Sequence, residues 1–248
     1  MKRRAFITLL GGAVLPWPLA ARAQKVGSKY TIGILTAGSD NAGLITVLID
    51  ALGKLGWVEG NNVVFEHRYA ENRPERLPGL AADLVRLKVD VIAAAGTLAP
   101  LSAKQASSTI PIVMTSAGDP LGSGLVASLA QPGGNVTGMS LMAPDLGGKR
   151  LELLKELLPR LAHVTVLWNA ANPYSALVFK ATQDAGRTLG IEVQSLEVRA
   201  PDDFDSAFEA ARRQPPDALI TVEDPFPLLI GSELRTSPPG NVCRRYME

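Results

Sequence analysis

One cysteine, Cys243, and two histidines, His67 and His163, are all that the chain holds of the softer metal-binding residues. A lone cysteine cannot close an intramolecular disulfide, so the folded state must rest on its core. The histidines fall at a strand and a strand edge without metal-ligand spacing and read as surface or sheet-packing residues. Charge is nearly balanced, at +1 over 248 residues, and nothing in it points to the concentrated basic face that nucleic acid requires. No apolar run approaches the roughly 20 residues of a membrane span. The nucleophile-elbow pattern is absent as well. Gly148-Lys149 looks briefly like a phosphate loop, but Arg150 stands where Ser or Thr is needed and Ala143 where the leading glycine belongs. Gly122-Ser123-Gly124 with Ala127, and Asp145 farther on, match a permissive dinucleotide fingerprint. Gly118-Asp119-Pro120, however, separates that run from its strand, and a tight turn that lets a helix pack close is the simpler reading. No catalytic residue, metal ligand or cofactor is assigned.

What is present begins with an export signal. Lys2-Arg3-Arg4 is basic, Phe6–Leu15 is a short apolar core broken by Pro16 and Pro18, and Ala21-Arg22-Ala23 is a small-x-small cleavage site before Gln24. That order is a secretory signal peptide spanning residues 1–23, and Arg3-Arg4 also suits the twin-arginine route. No cysteine at the cleavage site offers a lipid anchor. Loss of Lys2, Arg3, Arg4 and Arg22 leaves 21 basic against 24 acidic residues, a net charge of −3. The expected location is the periplasm.

Beyond the signal, apolar runs alternate with helical spacing. Strands are expected at 30–35, 63–66, 91–95, 110–114, 136–141, 164–168, 191–198 and 217–222. Helices are expected through Leu44–Leu55, Leu77–Leu87, Leu101–Ala106, Leu151–Leu158, Ala176–Leu189 and, capped by Asp202 or Asp203, Phe204–Ala211. Strands alternating with helices imply βαβ units and an α/β fold with parallel sheets. Leu55-Gly56 and Leu189-Gly190 each end a helix before a strand–helix–strand series, a weak repeat that favours two similar lobes. The expected division is 29–141 for the N-terminal lobe and 142–225 for the C-terminal lobe, with the change near Leu141–Asp145.

Parallel α/β sheets bind ligands at the carboxyl ends of their strands. Here those ends are Thr36–Asp40, Gly96-Thr97, Ser116–Pro120, Asn169–Pro173 and Glu223–Pro225, rich in hydroxyls, amides and carboxylates. Helix N-termini nearby suit a ligand carboxylate, and Asp119 or Asp224 suits a ligand ammonium. The same residue types also cap helices, so each position carries both readings.

Ile32-Gly33-Ile34-Leu35, Ala95-Gly96-Thr97, Ile110-Pro111-Ile112-Val113, Gly118-Asp119-Pro120 and Gln131–Gly138 resemble the ABC transporter substrate-binding proteins related to the tryptophan-binding receptor. Trp168-Asn169, Ala171-Asn172-Pro173 and Asp224-Pro225 match further segments. The resemblance implies a type I periplasmic-binding-protein fold: two Rossmann-like lobes joined by crossing strands, with the ligand in the cleft. Residue by residue it points to Ser39, Gly96, Thr97, Ser116 and Asp119 in the first lobe, and to Asn169, Asn172 and Asp224 in the second. The aromatic clamp of an amino-acid receptor is not evident. After Pro225 the sequence departs from the family, and residues 226–248 read as a divergent tail from a frame shift or a natural variant. The expectation is an incomplete second lobe and weak ligand capture.

The implied function is the periplasmic solute-binding component of an ABC-type uptake system: a monomer that carries a small molecule, such as an amino acid, to an inner-membrane permease. Alternatives are a ligand sensor for a membrane signalling protein and an exported enzyme on the same fold. The first differs in its partner, and the second needs a nucleophile–base pair that the sequence does not offer.

Overall fold

The computed structural model describes residues 29–39, 43–141 and 144–224. The signal-peptide reading, Asp40 and the tail at 226–248 lie outside the described residues. No described helix is long and apolar enough to cross a membrane.

The chain alternates strand and helix from the start: β1 (Tyr30–Thr36), α1 (Gly43–Lys54), β2 (Val63–Tyr69), α2 (Leu77–Arg86), β3 (Val91–Ala95), α3 (Leu98–Ala106), β4 (Ile112–Ala117) and β5 (Val136–Ser140). These strands form one parallel sheet in the order β2-β1-β3-β4-β5. Then follow α4 (Pro144–Leu157), β6 (His163–Asn169), α5 (Pro173–Leu189), β7 (Glu192–Val198), α6 (Phe204–Arg213) and β8 (Ala218–Thr221). Their strands form a second parallel sheet in the order β7-β6-β8.

Both sheets are covered on two faces, as parallel sheets must be. In the first, Leu35, Ile92, Ala94, Ile112 and Met114 pack under α2 and α3. Ile34, Phe65 and Ala93 point the other way, toward Leu48, Ile49 and Leu52 of α1. In the second, Val164, Val166 and Trp168 meet Leu151 and Val178 from α4 and α5. Leu167, Leu196 and Val198 meet Ala207 of α6. The alternation of successive side chains between faces is the period-2 geometry of the strand.

Several boundaries differ from the sequence reading, and three of the differences shape the cleft. β4 starts after Pro111 and runs to Ala117, so Ser116 belongs to the strand and not to the loop beyond it. α3 starts at Leu98, immediately after Thr97, because Pro100 is tolerated in a first helical turn. α5 starts at Pro173: Asn172 caps it by accepting the Tyr174 N–H, and Gly190 closes it in the left-handed conformation at φ 67°. Away from the cleft, Asp203 does not cap α6. Its carboxylate turns back to accept the Arg199 and Ala200 amides at 2.7 and 3.0 Å. Residues 118–135 contain turns and no helix, so the Gly122-Ser123-Gly124 run lacks the helix a dinucleotide site requires.

Candidate functional site

In each sheet the chain runs to one side and then the other, leaving a switch point: between β1 and β3 in the first sheet, between β6 and β8 in the second. Strand ends at such points leave a crevice because the following loops diverge. The two crevices face each other across one cleft. Its first wall carries Ala37 after β1, Ala95–Leu98 around the β3–α3 junction, Ser116 and Gly118 at the end of β4, and Leu141 after β5. Its second wall carries Asn172, Tyr174, Glu223 and Asp224. The gap between the walls is narrow and open at its mouth; it amounts to about 370 Å³ only when the adjoining open solvent is counted.

The first wall is built from the backbone outward. Ala37 is pinned by the segment after β2: Ala70 N–H donates to Thr36 O, Asn72 N–H to Ala37 O and Glu71 N–H to Gly38 O, at 3.0, 2.8 and 3.1 Å. Glu71 and Asn72 make these bonds from the left-handed region, at φ 54° and 61°. Gly96 also has a positive φ, 76°, and this turns the chain from β3 into α3. Its N–H donates to Ser116 Oγ at 3.2 Å, and Gly118 N–H donates to Thr97 Oγ1 at 3.3 Å. Thr97 is buried and makes no side-chain cap to α3. The Leu98 and Ala99 amides therefore have no partner within the helix, and the positive end of α3 opens on the cleft.

The second wall is acidic and braced from behind. Asp224 is buried, and both its oxygens accept: Asn169 Nδ2 donates at 3.1 Å and Asn172 Nδ2 at 2.7 Å. The amide orientations are fixed independently, because Asn169 Oδ1 accepts the Ala171 N–H and Asn172 Oδ1 the Tyr174 N–H. Amide donors orient a carboxylate while contributing no charge of their own. Glu223 pairs with Arg150 of α4 through one oxygen, and its other oxygen receives a long bond, 3.4 Å, from the Tyr174 hydroxyl. Burial, together with the Glu223 charge, pushes the Tyr174 phenol up to about 12.

Tyr174 also joins the two walls. Its ring lies against Gly118, so close that a Cβ there would stand 2.3 Å from Cδ2. Leu177, one turn along α5, lies against Gly122 in the same way, 2.8 Å from where a Cβ would be.

Of the eight residues singled out from sequence, five line the cleft: Gly96, Thr97, Ser116, Asn172 and Asp224. Three do not. Asn169 is fully buried behind Asp224, because both ends of its amide are spent on Asp224 and Ala171. Asp119 folds back to accept the Gly122 N–H at 2.9 Å, stabilising its own turn. Ser39 follows the lining residue Ala37 but is not in the wall. The sequence reading missed Tyr174, and it placed Glu223 at a ligand-facing strand end without including it among the eight. Asn172-Pro173 was the signal for Tyr174: a cap and a first-turn proline put the helix start there, and with it an aromatic ring at the cleft. His67 bonds to Tyr69 Oη at 2.7 Å through Nδ1, within the edge strand β2 and away from the cleft. Among the described residues no group of His, Cys, Asp and Glu has a metal-binding arrangement.

Comparison with known proteins follows the same geometry. Over 146 residues the chain is 34% identical to a tyrosine-binding protein of Clostridioides difficile, a match covering 58% of this chain and 41% of that one, less than half of the relative. Among solved structures it resembles the ABC domain from Streptococcus pneumonia in complex with L-Trp, at TM-score 0.72 and 25% identity, covering 84% of this chain and 72% of that one. It also resembles a ligand-free, open substrate-binding protein with adhesive properties from Clostridium difficile, at 27% identity over 83% and 68% of the two chains, but with TM-score 0.52. The fold is that of the type I periplasmic binding proteins. Residues 40–226 match the family model of the ABC transporter substrate binding protein, and the chain belongs to that family.

Proposed function

We propose that this chain is the solute-binding component of an ABC-type uptake system and that its cleft takes an amino acid, aromatic by preference. The observation that carries this reading is the polarity of the two walls. The open N-terminus of α3, with the Thr97 and Ser116 hydroxyls beside it, faces the Glu223–Asp224 pair. A zwitterion fits such a gap in one orientation, its carboxylate toward the helix end and its ammonium toward Asp224. Leu98, Leu141 and the Tyr174 ring add apolar surface for a side chain. A relative that binds tyrosine and a structural neighbour that holds L-Trp support the class.

In this reading Asn169 positions Asp224 without touching ligand, and the lobes 29–141 and 142–225 close around the solute by a hinge motion. The receptor works by binding rather than catalysis, in the periplasm after cleavage near Ala23, and delivers its solute to an inner-membrane permease. Isothermal titration of the full chain with L-tyrosine, L-tryptophan, tyramine and 3-(4-hydroxyphenyl)propionate tests it. Binding of an amino acid, weakened when either the carboxylate or the ammonium is removed, is expected. Tighter binding of the amine or the acid alone would reject the two-pole site.

A further inference from the structure

Arg150 lies outside the cleft wall, on α4, yet its guanidinium reaches Glu223, which is in the wall. We infer that Arg150 sets the charge selectivity of the cleft: by pairing with Glu223 from behind, it keeps that carboxylate from acting as a free charge toward the ligand. This rests on the reading of the cleft as an amino-acid site and deepens it.

The geometry separates the two acids of the second wall. Asp224 is buried and receives its hydrogen bonds from neutral amides, whereas Glu223 is half-exposed and is met by a cation on one oxygen and a phenol hydroxyl on the other. Arg150 is the partly shielded member of the pair, 31% exposed against 51% for Glu223. Its influence reaches Tyr174, whose phenol it pulls down while Glu223 pushes it up. Removing the Arg150 charge therefore makes the wall one unit more negative without deleting any lining residue. A more negative wall favours a ligand carrying net positive charge over a zwitterion. Wild type is matched to the zwitterion, and Arg150 is a specificity-determining residue that acts through Glu223.

The test compares L-tyrosine with L-tyrosinamide, two ligands of nearly identical shape that differ by one negative charge. Dissociation constants are measured by titration calorimetry for the wild-type full chain, R150Q, R150K and R150Q/E223Q. One unit charge partly screened at a protein surface corresponds to a change on the order of tenfold in the ratio of the two constants. The expected result is a shift of that size toward the amide in R150Q, and a ratio near wild type in R150K. The double variant should return toward wild type, which a merely structural role for Arg150 would not produce. An unchanged ratio in R150Q, or a shifted ratio that E223Q does not reverse, overturns the inference. If wild type binds no L-tyrosine or other amino acid, the amino-acid reading fails by itself. The inference is then judged on L-tyrosinamide alone, where equal affinity for wild type and R150Q overturns it.

Discussion

Gly118→Ala probes the contact between the walls with the smallest possible change. The added Cβ would stand 2.3, 2.4 and 2.6 Å from Cδ2, Cγ and Cε2 of Tyr174, where carbon atoms normally stay about 3.5–4.0 Å apart. The ring must move by more than 1 Å or the walls must part. The ring has little room, since Tyr174 is only 3% exposed and its backbone N–H is held by Asn172. Gly118 has no left-handed backbone, so the whole penalty comes from the clash. Overpacking of this kind costs about 1–3 kcal/mol. If the touching arrangement is the one that holds ligand, that cost falls on the bound state and weakens affinity by roughly 5- to 150-fold. Titration of L-tyrosine against wild type and G118A measures it, with thermal unfolding of the ligand-free proteins as the control. Tyr174→Ala should relieve the clash, so the double variant should lose less than the two single changes predict together. Equal affinity in G118A and wild type, or strict additivity with Tyr174→Ala, would refute the argument.

Further expectations follow from other parts of the site. Asp224→Asn should abolish most amino-acid affinity, whereas Asp119→Ala should leave affinity near wild type and lower stability by about 1 kcal/mol, since Asp119 serves its own turn; the reverse outcome in calorimetry would exchange their roles. Asp217 accepts the Ala162 and His163 amides at 2.9 Å, and these bonds hold its pKa below the ordinary 3.8. A depressed carboxylate stabilises the fold above its unfolded pKa and loses that contribution as pH falls through the folded value. Wild type should therefore lose stability below about pH 4, and D217N should show a shallower acid-side decline in urea midpoints; an identical decline would count against it. N-terminal sequencing of protein recovered from the periplasm should start at or near Gln24, and a chain retained uncut in the cytoplasm of a competent host would argue against export.

The alternation of strands and helices was written in the sequence because it is a local property. Val91–Ala95 is a short apolar run that a parallel sheet buries on both faces, and Leu77, Leu80 and Leu84 repeat at the helical period. The strand ends were legible for the same reason, which is why Gly96, Thr97, Ser116, Asn172 and Asp224 were within reach. Which of the polar groups at those ends face outward is not local. Asn169 and Asn172 are both amides at the end of β6. Only the packing of β8 beside β6 brings Asp224 between them, hiding the first behind it and leaving the second in the wall. Asp119, also at a strand end, turns one carboxylate oxygen back to the Gly122 N–H and is not among the residues that line the cleft, which depends on how its turn folds. Tyr174, Glu223 and Arg150 come from three separate elements whose meeting depends on how α4 and α5 pack on the second sheet. Sequence periodicity specifies each element and the face it buries, but contacts between elements far apart in the chain arise only when those faces are packed together, and it is such contacts that bring Asp224, Glu223 and Arg150 to the second wall of the cleft.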